Sequence, residues 1–291
     1  MKIHPFSQGN NTIPVSLTEN QFNTFVLPHL SEGKRGPKPK LSLYKIFTYI
    51  LILLYTGMQW KSLPIAANAN GENEIHYTSI YRVFCRWATD GSLQYFFENS
   101  VKKLGDNDLL DTEILHGDGT TTAAKKGGDL IGYSGHKHQK GEKIVAIVDR
   151  NANVIAPFVV APANKHESPL FPEAFQGLKQ IAKKVGFSIK NTVMSLDSAY
   201  DSYKNRKLIF NAGMIPNIKE NKRNRQKNKP GPKRIYQEYI FKERFQTVER
   251  AFAWEDKFKR LLIRFERISI YHLGMKHIAY ALINLRHFCN A

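Results

Sequence analysis

The spacing of apolar residues changes near residue 110, and this limits the fold more than any other feature of the chain. Before that point the period is helical. Leu41–Tyr55 is a strongly apolar helical run ended by Thr56-Gly57, and Trp60–Pro64 marks a short second element. Tyr77-Thr78-Ser79 supplies a capping residue for a helix running to about Thr89, where Asp90-Gly91 stops it. Ile80, Val83, Phe84 and Trp87 fall at i, i+3, i+4 and i+7 of that helix and give it one core face. After residue 111 short β-branched runs alternate with helices. Glu113–His116 reads as a strand, and Lys143–Asp149 with Asn153–Val160 as a hairpin. A helix follows, with Ser168 as its cap, Pro169 in its first turn and Gly186 at its end. Thr192–Leu196 and Met214–Pro216 are strands on either side of a helix at Asp201–Ala212, and Lys242–Lys259 and Tyr271–Phe288 are the last helices. The expected fold is α/β, a mixed sheet with flanking helices, preceded by a small all-α helix-turn-helix-like domain. The expected boundaries are a lead-in and basic linker over 1–40, a helical domain over 41–110 and a sheet domain over 111–291.

Charge is the second constraint. The chain carries 43 Lys and Arg against 25 Asp and Glu, a formal net charge of +18. Residues 1–110 hold 11 basic and 8 acidic side chains, and the remainder hold 32 and 17. An excess of this size implies an anionic partner, nucleic acid before a membrane surface. Two segments concentrate it: Gly33–Lys40, with Arg35, Lys38 and Lys40, and 219–236, with Lys222, Arg223, Arg225 and Lys227. Both contain Pro and Gly and read as loops or linkers that could track phosphates. Arg82 and Arg86 lie at i and i+4 on an outer helix face, as in a major-groove reader, although two arginines alone also suit an ordinary surface helix. Cys85 and Cys289 form no paired spacing, so neither a disulfide framework nor a zinc site is expected. The amino-terminal stretch lacks an apolar signal core and no run is long enough to span a bilayer, so the expectation is a cytoplasmic protein without membrane association.

Three acids stand out by position: Asp118 between two glycines, Asp197 directly after an apolar strand, and Glu249 on a helix whose inner stripe is expected to be Phe245, Val248 and Phe252. Converging carboxylates bind a hard divalent cation such as Mg²⁺, and a pair of such ions can clamp the attacking and leaving oxygens of a phosphodiester. Singly each acid has a plainer reading. Asp118 suits a turn, Asp197 or Asp201 a helix cap, and Glu249 a surface pair with Arg250. His136-Lys137-His138 and His166-Glu167 read as loop polarity and as a turn or cap, and Lys137, Lys140 and Lys143 as a basic stretch able to meet DNA.

The segments His116-Gly117-Asp118-Gly119-Thr120, Leu196-Asp197-Ser198-Ala199-Tyr200-Asp201 and Arg244-Phe245-Gln246-Thr247-Val248-Glu249-Arg250-Ala251-Phe252-Ala253-Trp254 resemble the DDE transposases of bacterial insertion sequences. Tyr55–Pro64 and Ser79–Trp87 resemble the helical DNA-binding region of that family. The resemblance implies an RNase H-like catalytic domain and a triad of Asp118, Asp197 and Glu249 holding Mg²⁺ or Mn²⁺. It also implies DNA-phosphate contacts at Arg244 and Lys257. Those two stand five before and eight after Glu249, whereas many relatives have four and seven, and Glu255 and Asp256 are rival acids nearby. The implied activity is cleavage at element ends and transfer of the freed 3′-OH into target DNA. Double-stranded DNA with terminal inverted repeats and further copies of the chain in a synaptic complex are the implied partners. A nuclease or resolvase on the same fold would cut without joining, and a catalytically silent regulator would bind without cutting.

Overall fold

A computed structural model describes residues 12–33, 40–156, 159–221 and 234–289. The chain divides into two compact units, Met1–Ser100 with Trp254–Ala291, and Val101–Ala253. The second unit thus ends at Ala253, whereas the sequence carried the sheet domain to residue 291.

The first unit is helical. Helix α1 (Glu19–Phe25) is capped by Thr18, whose side chain accepts the Gln21 N–H while Gln21 answers the Thr18 N–H, a reciprocal box that satisfies two orphan donors. Helix α2 (Leu43–Thr56) starts on Ser42 and ends on Gly57 at φ +74°, a left-handed turn that a side chain resists. A Cβ at Gly57 would also press on the Lys259 backbone at 3.2 Å. Helix α3 (Tyr77–Thr89) begins one residue before the expected cap, on His76, and buries Ile80, Val83, Phe84 and Trp87. Helix α4 (Ser92–Gly105) goes beyond the expected elements. Near the end of the chain, a helix at Ser269–Leu285 has its Met275 and Ile278–Leu285 stretch almost wholly buried, so it is a core element and not a surface one.

The second unit is built on strand β1 (Ile114–Ala124), far longer than expected. Strands β2 (Gly132–Ser134), β3 (Gln139–Val148), β4 (Val159–Pro162), β5 (Val193–Leu196) and β6 (Ile215–Ile218) complete its sheet. The order is β2-β3-β1-β5-β6, with β4 on β3. β3 lies antiparallel to β1, pairing His116 with Val148 through Ala123 with Gly141, whereas β5 and β6 run parallel to β1. This is the mixed sheet with flanking helices that was expected. Helix α5 (Phe171–Val185) packs Ala174 against Val145 and Val159. Its start is Leu170 with Pro172 in the first turn, not Ser168, whose hydroxyl accepts instead from Asn205. Helix α6 (Tyr203–Asn211) is capped by Ser202, and helix α7 (Glu238–Glu255) follows β6. The β3–β4 link is also longer than expected: Val148 bridges Val154, Asp149 anchors the turn, and β4 begins only at Val159.

Candidate active site

Two strands fix the first two acids. β1 and β5 pair in parallel register at Ile114–Val193, Leu115–Met194 and His116–Ser195. Asp118 and Asp197 each stand two residues beyond the last of these pairs, on strands that neighbour each other up to that point. Within β1, Asp118 stands on the face that carries His116, the face that meets Glu243 and Arg244. Gly117 lets the two strands close up, since a Cβ there would lie 2.6 Å from the Leu196 side chain. Asp118 lies in the middle of β1, whereas the strand read from the sequence stops at His116. Asp197 is one residue beyond β5.

Each aspartate is pre-oriented. Asp118 Oδ1 accepts the Gly119 N–H at 2.8 Å and Oδ2 accepts from Arg244 Nη1 at 2.5 Å. Burial pushes the Asp118 carboxyl up and the nearby Glu167 charge adds to this, while Arg244 and the Gly119 N–H pull it back. Asp197 Oδ1 accepts the Ser198 N–H at 2.5 Å and the Ser198 hydroxyl at 3.2 Å, capping the short 3₁₀ turn Ser198–Tyr200.

Helix α7 supplies the next set of groups, but not at the expected phase. Its inner face is Ile240, Phe241, Arg244, Thr247, Val248 and Ala251, all buried. Phe245, expected inside, is 45% exposed. Arg244, expected on DNA phosphate, is 2% exposed, with Phe241 and Phe245 flanking its guanidinium at 5.3 and 4.6 Å. One residue earlier, Glu243 takes a two-pronged bond from Arg150 at 2.7 and 3.2 Å and lies 3.4 Å from His116 Nε2. Burial works against the Glu243 anion, but His116 and Arg150 hold its carboxyl below the usual range. Glu249 is exposed. Five residues on from Arg244, it points about 140° around the helix from the face that meets Asp118. Among the described residues no three His, Cys, Asp or Glu side chains come together as a metal-binding group.

The other expected residues fall elsewhere. Asp201 is held by Arg206 at 2.8 Å, Arg234 at 3.0 Å and the Asn221 N–H at 2.9 Å, and burial notwithstanding, its carboxyl stays low. Glu255 is buried in the first unit against Lys276 and Tyr280, and Asp256 and Lys257 are exposed. Lys40 and Arg82 are exposed, and Arg86 is half-buried with Nη2 on the Ser31 carbonyl at 3.4 Å. Arg35, Lys38, Lys222, Arg223, Arg225 and Lys227 lie outside the described residues. Lys143, expected to meet DNA, is paired with Glu167 at 3.2 Å. Glu167 was not anticipated against β1, where it packs on Gly119. The available signal was glycine inside a strand, which marks a close approach, here at Gly119.

Residues 109–281, more than half of the chain, match the family described as "Transposase DDE domain". The chain belongs to this transposase family. It is therefore a DNA-acting enzyme that catalyses strand cleavage and transfer, from a family that generally uses divalent metal ions. No curated protein matches it. Among solved structures, "Mos1 transposase paired-end complex with left transposon end" is similar at 9% identity and a TM-score of 0.28, over 79% of this chain and 83% of that one. Among the described residues no helix of this transposase is long and apolar enough to cross a membrane.

Proposed function

We propose that this transposase cuts double-stranded DNA at the ends of an insertion sequence, joins the freed 3′-OH to target DNA, and works through Asp118 and Asp197 with Glu249 as third acid. What supports the reading is the parallel β1–β5 pairing up to His116 and Ser195, two residues before each aspartate. They suit a hard divalent cation, Mg²⁺ or Mn²⁺, by their oxygen donors. Buried polar atoms in the same region also lack partners: Ser195 Oγ, His116 Nδ1 and Arg244 Nε. Glu249 does not fit such a site in this arrangement, being exposed and turned away from Asp118, so its part rests on the family motif. A divalent cation bound there would supply Lewis-acid stabilisation of the phosphodiester oxygens and a more acidic water.

The chain's own residues prepare that chemistry. The Gly119 and Ser198 N–H groups hold one oxygen of each aspartate in place, so little reorganisation is needed when DNA arrives. Arg244 neutralises Asp118 from inside the fold and lets the carboxylate stay charged despite its burial. Sequence-independent DNA affinity comes from exposed cations, with Lys40, Arg82 and Lys257 among them, and from the basic segments around 34–40 and 219–236. Synapsis of two element ends calls for more than one copy of the chain.

The test is cleavage and joining of an oligonucleotide duplex carrying an element end, in Mg²⁺, by Asp118→Asn, Asp197→Asn and Glu249→Gln. DNA binding should survive and both reactions should vanish in each variant. Retained cleavage would remove that residue from the triad. Cutting without joining by the unaltered protein would favour the nuclease reading, and tight binding with neither reaction the regulator reading.

A further inference from the structure

Asp201 carries a buried charge that no helix cap explains. It follows the 3₁₀ turn Ser198–Tyr200 and is 5% exposed. The cap of α6 is the next residue, Ser202, whose hydroxyl accepts the Asn205 N–H at 3.1 Å. The Asp201 carboxylate instead gathers donors from three separate stretches of chain. Oδ1 accepts from Arg206 Nε at 2.8 Å and from Arg234 Nη1 at 3.0 Å, and Oδ2 accepts the Asn221 N–H at 2.9 Å. Arg206 also donates through Nη2 to the carbonyl of Ile218, the last residue of β6, at 2.7 Å. Arg234 is brought within reach by β6 as well. Asn217 accepts the Gln237 N–H at 2.8 Å and donates to the Gln237 carbonyl at 3.1 Å, three residues beyond Arg234. Asp201 therefore ties the chain that leaves β5 to the end of β6, its parallel neighbour.

Asp197 stands at the other end of the same turn. It opens the turn: its carboxylate accepts the Ser198 N–H and hydroxyl, and its carbonyl accepts the Tyr200 N–H at 3.0 Å. Asp201 closes the turn by giving its N–H to the Ser198 carbonyl at 3.1 Å. A second, independent grip acts on the residue between them. Asn205, 1% exposed, donates to the Tyr200 carbonyl at 3.0 Å and to the Ser168 hydroxyl at 2.9 Å. The buried Tyr200 ring meets Phe171 of α5 edge-on, with centroids 5.9 Å apart. Consecutive residues of α6, Asn205 and Arg206, thus fasten the turn from one side, and the segments around β6 fasten it from the other.

We infer that Asp201 is a positioning residue: through the Ser198–Tyr200 turn it fixes the Asp197 carboxylate at the end of β5, where a divalent cation would be held. The inference rests on the role proposed for Asp197 above. A buried ion pair gains little stability, because desolvation offsets the attraction. What Asp201 and its two arginines supply is a fixed geometry. Groups that orient a metal ligand change metal affinity by about 10–100-fold. A displacement of about 1 Å in a reacting group costs about 100-fold in rate.

The experiment measures Mn²⁺ binding by the full-length protein, read from the paramagnetic resonance signal of the free ion, together with kcat and KM on a duplex carrying an element end. Asp201→Asn keeps the shape of the side chain and removes the charge that holds the two arginines. It should weaken Mn²⁺ binding by about tenfold. It should also lower kcat by about 10–100-fold, with KM for DNA unchanged. Asp197→Asn should weaken Mn²⁺ binding by itself, and adding Asp201→Asn to it should weaken binding no further, because both act through one carboxylate. A loss of folded protein would act alike in both backgrounds, so that non-additivity belongs to positioning alone. Arg206→Gln cuts the link to Ile218 and leaves Arg234 on Asp201; it should give the same pattern more weakly, and it decides if Asp201→Asn does not fold. Unchanged Mn²⁺ binding in Asp201→Asn, an equal further loss in the Asp197→Asn background, or a change in KM alone overturns the inference. If Asp197→Asn binds Mn²⁺ as the wild type does, the role of Asp197 fails and the inference with it. If Asp197→Asn weakens binding and Asp201→Asn does not, only the role of Asp201 fails.

Discussion

At the scale of single residues, the Asp118–Arg244 pair explains why an arginine sits inside this fold. A half-buried carboxylate on a central strand needs a counter-charge, and Arg244 supplies it from α7 with 2% of its surface exposed. Arg244→Met should therefore destabilise the protein by about 1–3 kcal/mol, the cost of leaving a buried polar group unsatisfied. Saturating Mn²⁺ should raise the melting temperature of this variant more than that of the wild type, because the ion replaces the missing charge. Equal melting of variant and wild type would mean that the pair contributes nothing. The association of the two aspartates with strands was legible in the sequence because each carried local context, glycines around Asp118 and an apolar strand before Asp197. Arg244 and Glu167 were not, because a charged side chain is ordinarily a surface one and nothing local announces its burial. Glu249, singled out by its motif, lies on the outer side of α7.

At the scale of elements, the phase of α7 decides what the site contains. The stripe expected from Phe245, Val248 and Phe252 follows hydrophobicity alone, whereas the buried stripe runs through Phe241, Arg244, Val248 and Ala251. A polar residue on the inner face shifted the pattern. Val248→Ala should cost about 2 kcal/mol as a core truncation. Phe245→Ala should cost about 1 kcal/mol or less, the scale of its contact with the Arg244 guanidinium. Urea unfolding of both variants checks the phase, and a larger loss at Phe245 would contradict it. β1 shows a related limit. Glycines at 117 and 119 made it look broken after His116, yet pairing with β3 continues to Ala123, and Thr120-Thr121-Thr122 suit a strand. In α4, Leu93, Phe96, Phe97, Val101 and Leu104 do carry the helical period and are buried. The alternation of strands and helices between residues 111 and 218 was the part most open to reading, because each element there is a short local pattern.

At the scale of the molecule, charge and proton binding set the conditions in which the protein works. With a net charge of +18, affinity for non-specific DNA should fall steeply between 50 and 200 mM salt, with a linear log–log slope. A flat salt profile in a fluorescence-anisotropy titration would argue against broad phosphate contact. Stability should also fall in acid, for two reasons in the helical unit. Burial lowers His277 to about 3, so below its ordinary value of 6.5 the unfolded chain takes up a proton that the folded one refuses. Glu266 is held at about 2: burial would raise it, but His272 and Arg260 more than offset that, so its contribution is lost as pH falls from about 4.5 toward 2. Both effects have the same sign, and melting temperature should drop steadily below pH 6.5. His277→Gln should flatten the upper part of that decline.

The helix at Ser269–Leu285 belongs to the same compact unit as α1–α3, although the whole sheet lies between them in the chain. A ribosome delivers residues in order, so the strands and α5–α7 have emerged before the helical bundle receives its innermost member. The sheet can settle during translation, while the bundle waits, with its apolar faces uncovered, for a segment made more than a hundred and fifty residues later. Newly made copies of this protein should therefore lean on holding chaperones at their front end, and gain their mature form there last.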